Sequence, residues 1–350
     1  MAYTTIKDPS AYFQTKLYTG GTVGAKTFDG NSNLKPDLFW SKKRGAVQSH
    51  YLADSVRGTT YAISSNTTAA SYTDSETDDL ASFDTNGFTF SGIGDTYNGT
   101  YQSDSYVAWS WSAAGNSGSA NTDGSISSTV SANTTSGFSI VSFTGTGANA
   151  TVGHGLGAVP KMIILKSRSN AYNWGVYHAS IGATKYLRLN STNAEATSSA
   201  YFQDTAPTST LITLGSDLNI NDSGNMIAYC FADKQGYSKF GSYTGNGNAD
   251  GTFVYTGFKP AFVLIKNSSN AGLMWNIRDN KRDTFNPNNT VLYPNSNEAE
   301  NAHGANDVDW LSNGFKMRTT NGHTNDSGNT YIYMAFAEEP LVGDNPATAR

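Results

Sequence analysis

A pattern spelled three times along one chain commits that chain to three related units before any other feature is considered. A proline is followed six residues later by a lysine, with an apolar run between, in Pro36–Lys42, Pro160–Lys166 and Pro260–Lys266. Upstream of each lies an aromatic-Thr-Gly, at Tyr18-Thr19-Gly20, Phe143-Thr144-Gly145 and Tyr243-Thr244-Gly245. Downstream of each comes an aromatic-rich alternation, at Tyr106–Trp111, Met226–Phe231 and Tyr331–Phe336. The last two are preceded by one identical string, Asn221-Asp-Ser-Gly-Asn225 and Asn325-Asp-Ser-Gly-Asn329. Markers in the same order at matching spacing predict three copies of a domain of about 100 residues, an ordinary domain size.

The spacing also places a linker. More residues separate Pro36 from Pro160 than separate Pro160 from Pro260, and the surplus falls in a run of small polar residues from Gly115 to Ser136 that offers little apolar surface to bury. The predicted organisation is repeat unit 1 over 1–114, a Gly/Ser/Asn/Thr-rich linker over 115–136, repeat unit 2 over 137–236, and repeat unit 3 with a short C-terminal tail over 237–350. On that reading the chain is a lone unit on a tether followed by a fused pair.

The expected fold class is all-β, with three tandem β-sandwich or jelly-roll-like units. Charged residues make up only 15% of the chain while aromatics reach 12%, against the usual charged fraction of about 25%. Short β-branched and aromatic runs such as Met162–Leu165 and Ala261–Ile265 are bounded by Gly, Pro and Asn, and no longer segment carries an apolar stripe of helical period. Asn86-Gly87, Asn98-Gly99, Asn313-Gly314, Asn321-Gly322 and Asp250-Gly251 supply the turn chemistry that such a fold needs.

Two repeated features admit a ligand-binding and a structural reading. The lysine after each proline is expected to close a buried strand where the chain returns to water, because charges at strand ends block unwanted pairing. The Asn-Asp-Ser-Gly-Asn string has calcium-loop residue types, yet it lacks the alternating ligands and the closing Glu, so a hydrogen-bonded turn is the expectation.

Motifs of catalysis and metal binding find no foothold, and the expectation is a protein that is not an enzyme and uses no metal or cofactor. Cys230, the only cysteine, sits inside an apolar alternation and reads as a packing residue. His50, His154, His178, His303 and His323 are scattered without ligand spacing. Gly153-His-Gly-Leu-Gly157 has the wrong spacing for a dinucleotide loop and reads as a turn. No pair of carboxylates is singled out. A net charge of −5 argues against nucleic acid, which is held by clustered Lys and Arg. No apolar run is long enough for a membrane span, and the opening residues Met1–Pro9 do not resemble a cleaved signal.

At this point several segments carry a resemblance. Tyr12–Gly21, Asp29–Arg44, His50–Gly58, Ser65–Ala70, Phe83–Phe88, Tyr106–Trp111, Gly137–Gly147 and Val152–Lys166 resemble a family of largely uncharacterised structural proteins of marine tailed bacteriophages. The resemblance implies a virion component of tail fibre, spike or capsid-appendage type, assembled in the host cytoplasm and without catalytic residues. It implies other virion proteins as partners, and a homotrimer as the expected assembly.

Two functions then stand side by side. One is an adhesin that contacts a glycan or protein of the host surface, for which Trp174, Tyr177, Trp275 and Trp310 are the candidate stacking residues. The other is a capsid decoration or head-fibre protein that stabilises the particle without binding the host.

Overall fold

The computed structural model describes residues 4–73, 80–94, 97–98, 104–302, 307–343 and 346–348. It is built almost wholly of antiparallel strands, with helix confined among the described residues to the single turns Pro9–Ala11, Ser199–Phe202 and Leu218–Asn221. The all-β expectation holds.

Three large sheets share one strand order. In unit 1 the opening strand Phe13–Thr19 pairs with the closing strand Ser105–Trp111, which pairs with the middle strand Leu38–Lys43, followed by Tyr51–Asp54, Gly58–Ser64 and Tyr72–Thr73. Unit 2 repeats this as Phe138–Thr144, Asn225–Phe231, Met162–Ser167, Gly175–His178, Lys185–Arg188 and Ala196–Thr197. Unit 3 repeats its first four members as Ser238–Thr244, Thr330–Pro340, Phe258–Asn267 and Asn276–Asp279. The register recurs too, because the residue two after each proline faces the end of the aromatic alternation: Leu38 opposite Trp111, Met162 opposite Phe231, Phe262 opposite Phe336.

Each large sheet is covered on its outer face by a small one, giving a sandwich. The covers are Gly24–Lys26, Gly87–Phe90 and Leu80–Asp84 in unit 1, Ala150–Gly153 with Leu211–Leu214 in unit 2, and Phe253–Tyr255, Gly314–Met317 and Val308–Leu311 in unit 3. Thr85-Asn86 and Ser312-Asn313 form two-residue hairpin loops in these covers, and the glycine of each Asn-Gly pair is the first residue of the returning strand. At Gly87 the backbone has φ of +112°, a region that side chains with a Cβ avoid.

The aromatic alternations explain why three sandwiches make one body. Successive strand residues point to opposite faces. In unit 2, Met226, Ala228 and Cys230 pack outward into that unit's own core, while Ile227, Tyr229 and Phe231 pack inward. The other units do the same, with Val107, Trp109 and Trp111 or Ile332, Met334 and Phe336 turned inward. These inward faces join in a single central core to which all three units contribute. At its middle the equivalent residues Trp111, Phe231 and Phe336 touch one another, with ring centroids 6.3, 5.6 and 6.0 Å apart.

This arrangement corrects the expected tether. Ser119–Asn121 and Ser128–Asn133, inside the segment 115–136, extend the second large sheet beyond its opening strand. Unit 1 packs against the other two instead of standing apart. A polar, small-residue composition told correctly of little apolar burial, but it was silent on backbone pairing, which any residue with an N–H and a carbonyl can join.

Candidate functional site

The three units meet at seams built from equivalent positions. Two residues past each repeated lysine, a backbone carbonyl accepts a hydrogen bond from a neighbouring unit: Arg168 from the Ser71 N–H at 2.9 Å, Ser268 from Glu195 at 2.9 Å, and Arg44 from Glu300 at 2.7 Å. Unit 1 thus donates to unit 2, unit 2 to unit 3 and unit 3 to unit 1, so the ring closes. A second set runs through side chains. Trp174 Nε1 of unit 2 donates to the Ser64 carbonyl of unit 1 at 2.9 Å, and Trp275 Nε1 of unit 3 donates to the Arg188 carbonyl of unit 2 at 3.0 Å. His50 takes the corresponding place in unit 1, where its ring meets the Tyr293 backbone of unit 3.

A third set carries charge. Asp54 accepts from the Tyr229 hydroxyl across the 1–2 seam at 2.8 Å, while Arg57 lies 2.5 Å from the same carboxylate. Asp279 accepts from Trp109 Nε1 across the 3–1 seam at 2.9 Å, again with an arginine, Arg282, at 2.5 Å. All four charged side chains are buried. At the 2–3 seam the place belongs to His178, whose Nδ1 accepts from the Ser180 N–H, leaving the protonated Nε2 to donate to the Tyr333 carbonyl at 3.2 Å. Burial depresses this imidazole to about 4, so it is neutral at neutral pH.

The repeated lysines are buried rather than returned to water, which corrects the expectation for them: Lys42, Lys166 and Lys266 all lie within the protein although each sits at the end of its strand. Backbone carbonyls replace water around each ammonium. Lys42 Nζ donates to Lys43 and Ala46, Lys166 to Ser167 and Asn170, and Lys266 to Leu273 and, across the seam, to Thr192 of unit 2. Burial lowers each ammonium to about 8. No side-chain pattern announces this, because the groups that hold the ammonium are backbone carbonyls: those of the next residue and of the following turn for Lys42 and Lys166, and those of Leu273 and the neighbouring unit's Thr192 for Lys266.

The Asn-Asp-Ser-Gly-Asn strings are turns. Asn221 and Asn325 are buried and tie the loop that follows each Thr-Gly to the segment after a cover strand, Asn221 donating to Ala148 and Gly215, Asn325 to Asn248 and Thr319. A Cβ on Gly145 or Gly245 would stand 2.0 or 2.2 Å from the carbonyl oxygen of Asp222 or Asp326, which explains the glycine of the aromatic-Thr-Gly marker. In unit 1, Asn98 does the same work by donating to Thr22 and Gly92, an equivalence hidden because the string is absent there.

The four stacking candidates are core residues. Trp174 and Trp275 point into the central core, Tyr177 packs with Phe202 in the outer core of unit 2, and Trp310 lies in that of unit 3. All are buried, so none presents a ring to a surface sugar. The physical reason is the repeat itself, since every large ring at an equivalent position is needed to fill the shared or outer core.

A cleft opens where unit 1 meets unit 3. Its volume is about 190 Å³, with Phe13, Ala261 and Ala337 on its apolar side. Around them stand Gln14, Thr15, Asp29, Asn280, Lys281 and Glu338. The opening strand of unit 1 is the edge of its sheet here, whereas the opening strand of unit 2 is covered by Ser128–Asn133. Gln14 is held rigidly, donating to the carbonyls of Ser10 and Ser32 and accepting from the Gly30 N–H. The hydroxyl of Thr15 and the amide nitrogen of Asn280 are buried and have no hydrogen-bond partner. Among the described residues, no group of three His, Cys, Asp or Glu side chains is placed to hold a metal ion. Cys230 is buried with its thiol pushed up to about 12, and His303 lies outside the described residues.

The fold and seams define a class, a three-unit β-sandwich ring in a single chain. The chain belongs to the DUF7483 family, a domain of unknown function whose match spans residues 8–340 and so takes in all three units. No curated protein and no solved structure matches it.

Proposed function

We propose that this protein is a structural component of a tailed-phage virion, of tail-fibre or spike type, that contacts the host surface. The phage assignment rests on the sequence resemblance. The closed ring supports an appendage role, because three units around one axis offer a matching face to a threefold partner such as a trimeric fibre, so that one copy of the chain serves where a homotrimer was expected. Affinity for a surface would then come from many copies on one particle.

The observation that carries adhesion over decoration is the cleft between units 1 and 3. A protein that only braces a lattice gains nothing from it. The test is location and loss. Antibody labelling is expected at the distal tail, and particles lacking the protein should fail to adsorb while remaining intact. Normal adsorption with fragile capsids would replace adhesion with decoration.

A further inference from the structure

Given the adhesin role proposed above, we infer that the outer face of the unit 3 cover sheet is a contact surface that stacks on a short stretch of an uncharged glycan chain. Val254 points into the core of unit 3, so its neighbours Phe253 and Tyr255 point the opposite way. They are 43% and 54% exposed, and among the described residues no other strand turns two exposed aromatic side chains to one face. Gly314 lies opposite Tyr255. A Cβ on it would stand 3.1 Å from the Phe253 ring, so its bare backbone gives the rings a flat floor. The other units have no such platform. A Cβ on Gly87 would meet the Lys26 carbonyl at 2.1 Å, as one on Gly314 would meet the Val254 carbonyl at 2.0 Å, so Ala25 and Thr27 are the unit 1 counterparts of Phe253 and Tyr255. In unit 2, Thr151 and Gly153 flank the buried Val152.

Three properties of this face select the ligand. Two positions along a strand span about 6.8 Å, so the rings form a strip along which linked sugars can lie, each offering its face of C–H groups to an aromatic ring. The strip is also small. An aromatic side chain has about 150–250 Å² to bury, and with half of each exposed about 200 Å² is open, far below the roughly 800 Å² per partner of a standard protein interface. A second copy or a folded partner finds too little here. Accessible polar groups without net charge are the third property. Lys316, which lies opposite Phe253, pairs with Asp250 at 2.6 Å, and Arg318 lies 3.4 Å from both Asp250 and Asp309. Two cations meet two carboxylates, so neither a phosphate nor a sulfated chain finds an excess of opposite charge. The Arg318 and Asp250 side chains are 43% and 76% exposed, so their remaining donors and acceptors reach solvent, where a sugar hydroxyl can both accept and donate. Beyond Arg318 and Asp309 the surface opens into a hollow of about 460 Å³ that Asn286 and Asp307 also line, room for a chain to continue past the rings.

The experiment uses the full chain and the uncharged trisaccharides cellotriose, maltotriose, mannotriose and triacetylchitotriose at millimolar concentration. Saturation-transfer NMR is expected to show binding of at least one of them, with a change of no more than about twofold when salt is raised. Tyr255→Ala or Phe253→Ala should weaken that trisaccharide about tenfold. Tyr61→Ala, which removes an exposed ring of unit 1, should leave it unchanged. Binding of no trisaccharide, undiminished binding by a folded chain lacking both unit 3 rings, or an equal loss in Tyr61→Ala overturns the site. So does self-association in sedimentation that the double substitution abolishes, which would give the face to a second copy. In the unsubstituted chain the Tyr255 ring signals should shift on binding, and unshifted signals overturn the site even if a variant does not fold. The two readings fail separately. A trisaccharide that binds the platform but does not block particle adsorption removes the adhesin role and leaves the site; adsorption that needs the protein but ignores the double substitution and every trisaccharide removes the site and leaves the adhesin.

Discussion

The 1–2 and 2–3 seams solve one geometric problem with different chemistry. Both join the strand after the lysine turn of one unit to the closing strand of the next, and both place a polar group of the first against the second. The 1–2 seam uses a buried Asp54–Arg57 pair bound to a tyrosine hydroxyl, whereas the 2–3 seam uses neutral His178 bound to a backbone carbonyl. The difference teaches that the seams share a shape but are not interchangeable. Unit 2 presents Tyr229 to the Asp54–Arg57 pair, and unit 3 has Met334 at the equivalent place, which offers no hydroxyl. A wrong pairing of units would leave a buried charge pair short of a partner, and that penalty selects one order around the ring.

Removing a carboxylate should break this contrast most sharply. Asp54→Ala strands Arg57 in the interior and is expected to cost about 3–5 kcal/mol in chemical denaturation. Asp279→Ala should cost less, because Arg282 keeps Glu300 at 3.0 Å. His178→Ala removes no charge and should cost about 1–3 kcal/mol. A larger loss for His178→Ala than for Asp54→Ala would show that charge is not what distinguishes the seams.

Acid should sharpen the same contrast by acting on the 2–3 seam. The His178 imidazole titrates near 4 when folded against 6.5 when unfolded. Its folded form therefore binds fewer protons, and stability falls as pH drops from about 6.5 to 4. At about 1.4 kcal/mol per unit the loss from this residue reaches roughly 3 kcal/mol at pH 4. Denaturation curves of His178→Gln should show a shallower acid slope than the unsubstituted chain. An identical slope would remove the histidine from the seam's account.

The smallest expected effect lies on the alkaline side and is common to all units. Each repeated lysine titrates near 8 when folded against 10.5 when unfolded, so the unfolded chain holds more protons between those values and stability rises with pH. Each contributes about 1 kcal/mol between pH 7.5 and 9. Lys266→Met should lose its share of that rise. Lys166→Met should do likewise, although only Lys266 also crosses a seam, to Thr192. Equal slopes with and without these lysines would contradict the burial argument.

Much of the fold was legible because it depends on short-range rules. Period-two alternation in Met226–Phe231 placed Cys230 on a buried face, the Asn-Gly pairs at Asn86 and Asn313 marked hairpins, and the apolar runs after the prolines fell on strands of matching register. The cleft was not legible. Its walls come from Gln14 and Thr15 in one unit and from Asn280 and Lys281 in another, and no spacing in the chain links them. The aromatic candidates failed for a related reason, since residue type alone does not tell a ring that stacks on a ligand from one that fills a core.

The sequence by itself determined the β architecture and the repeated markers, because strand, turn and alternation are set by residues within a few positions of one another. Only the tertiary structure decided that the units close into a ring around Trp111, Phe231 and Phe336, that the polar segment before unit 2 joins its sheet, and that the lysines are buried. Those outcomes depend on which surfaces meet after the strands have formed. An inward-facing aromatic row reads the same whether it covers a small domain core or completes a shared one, and the choice is made by the two neighbouring sheets that come to lie against it.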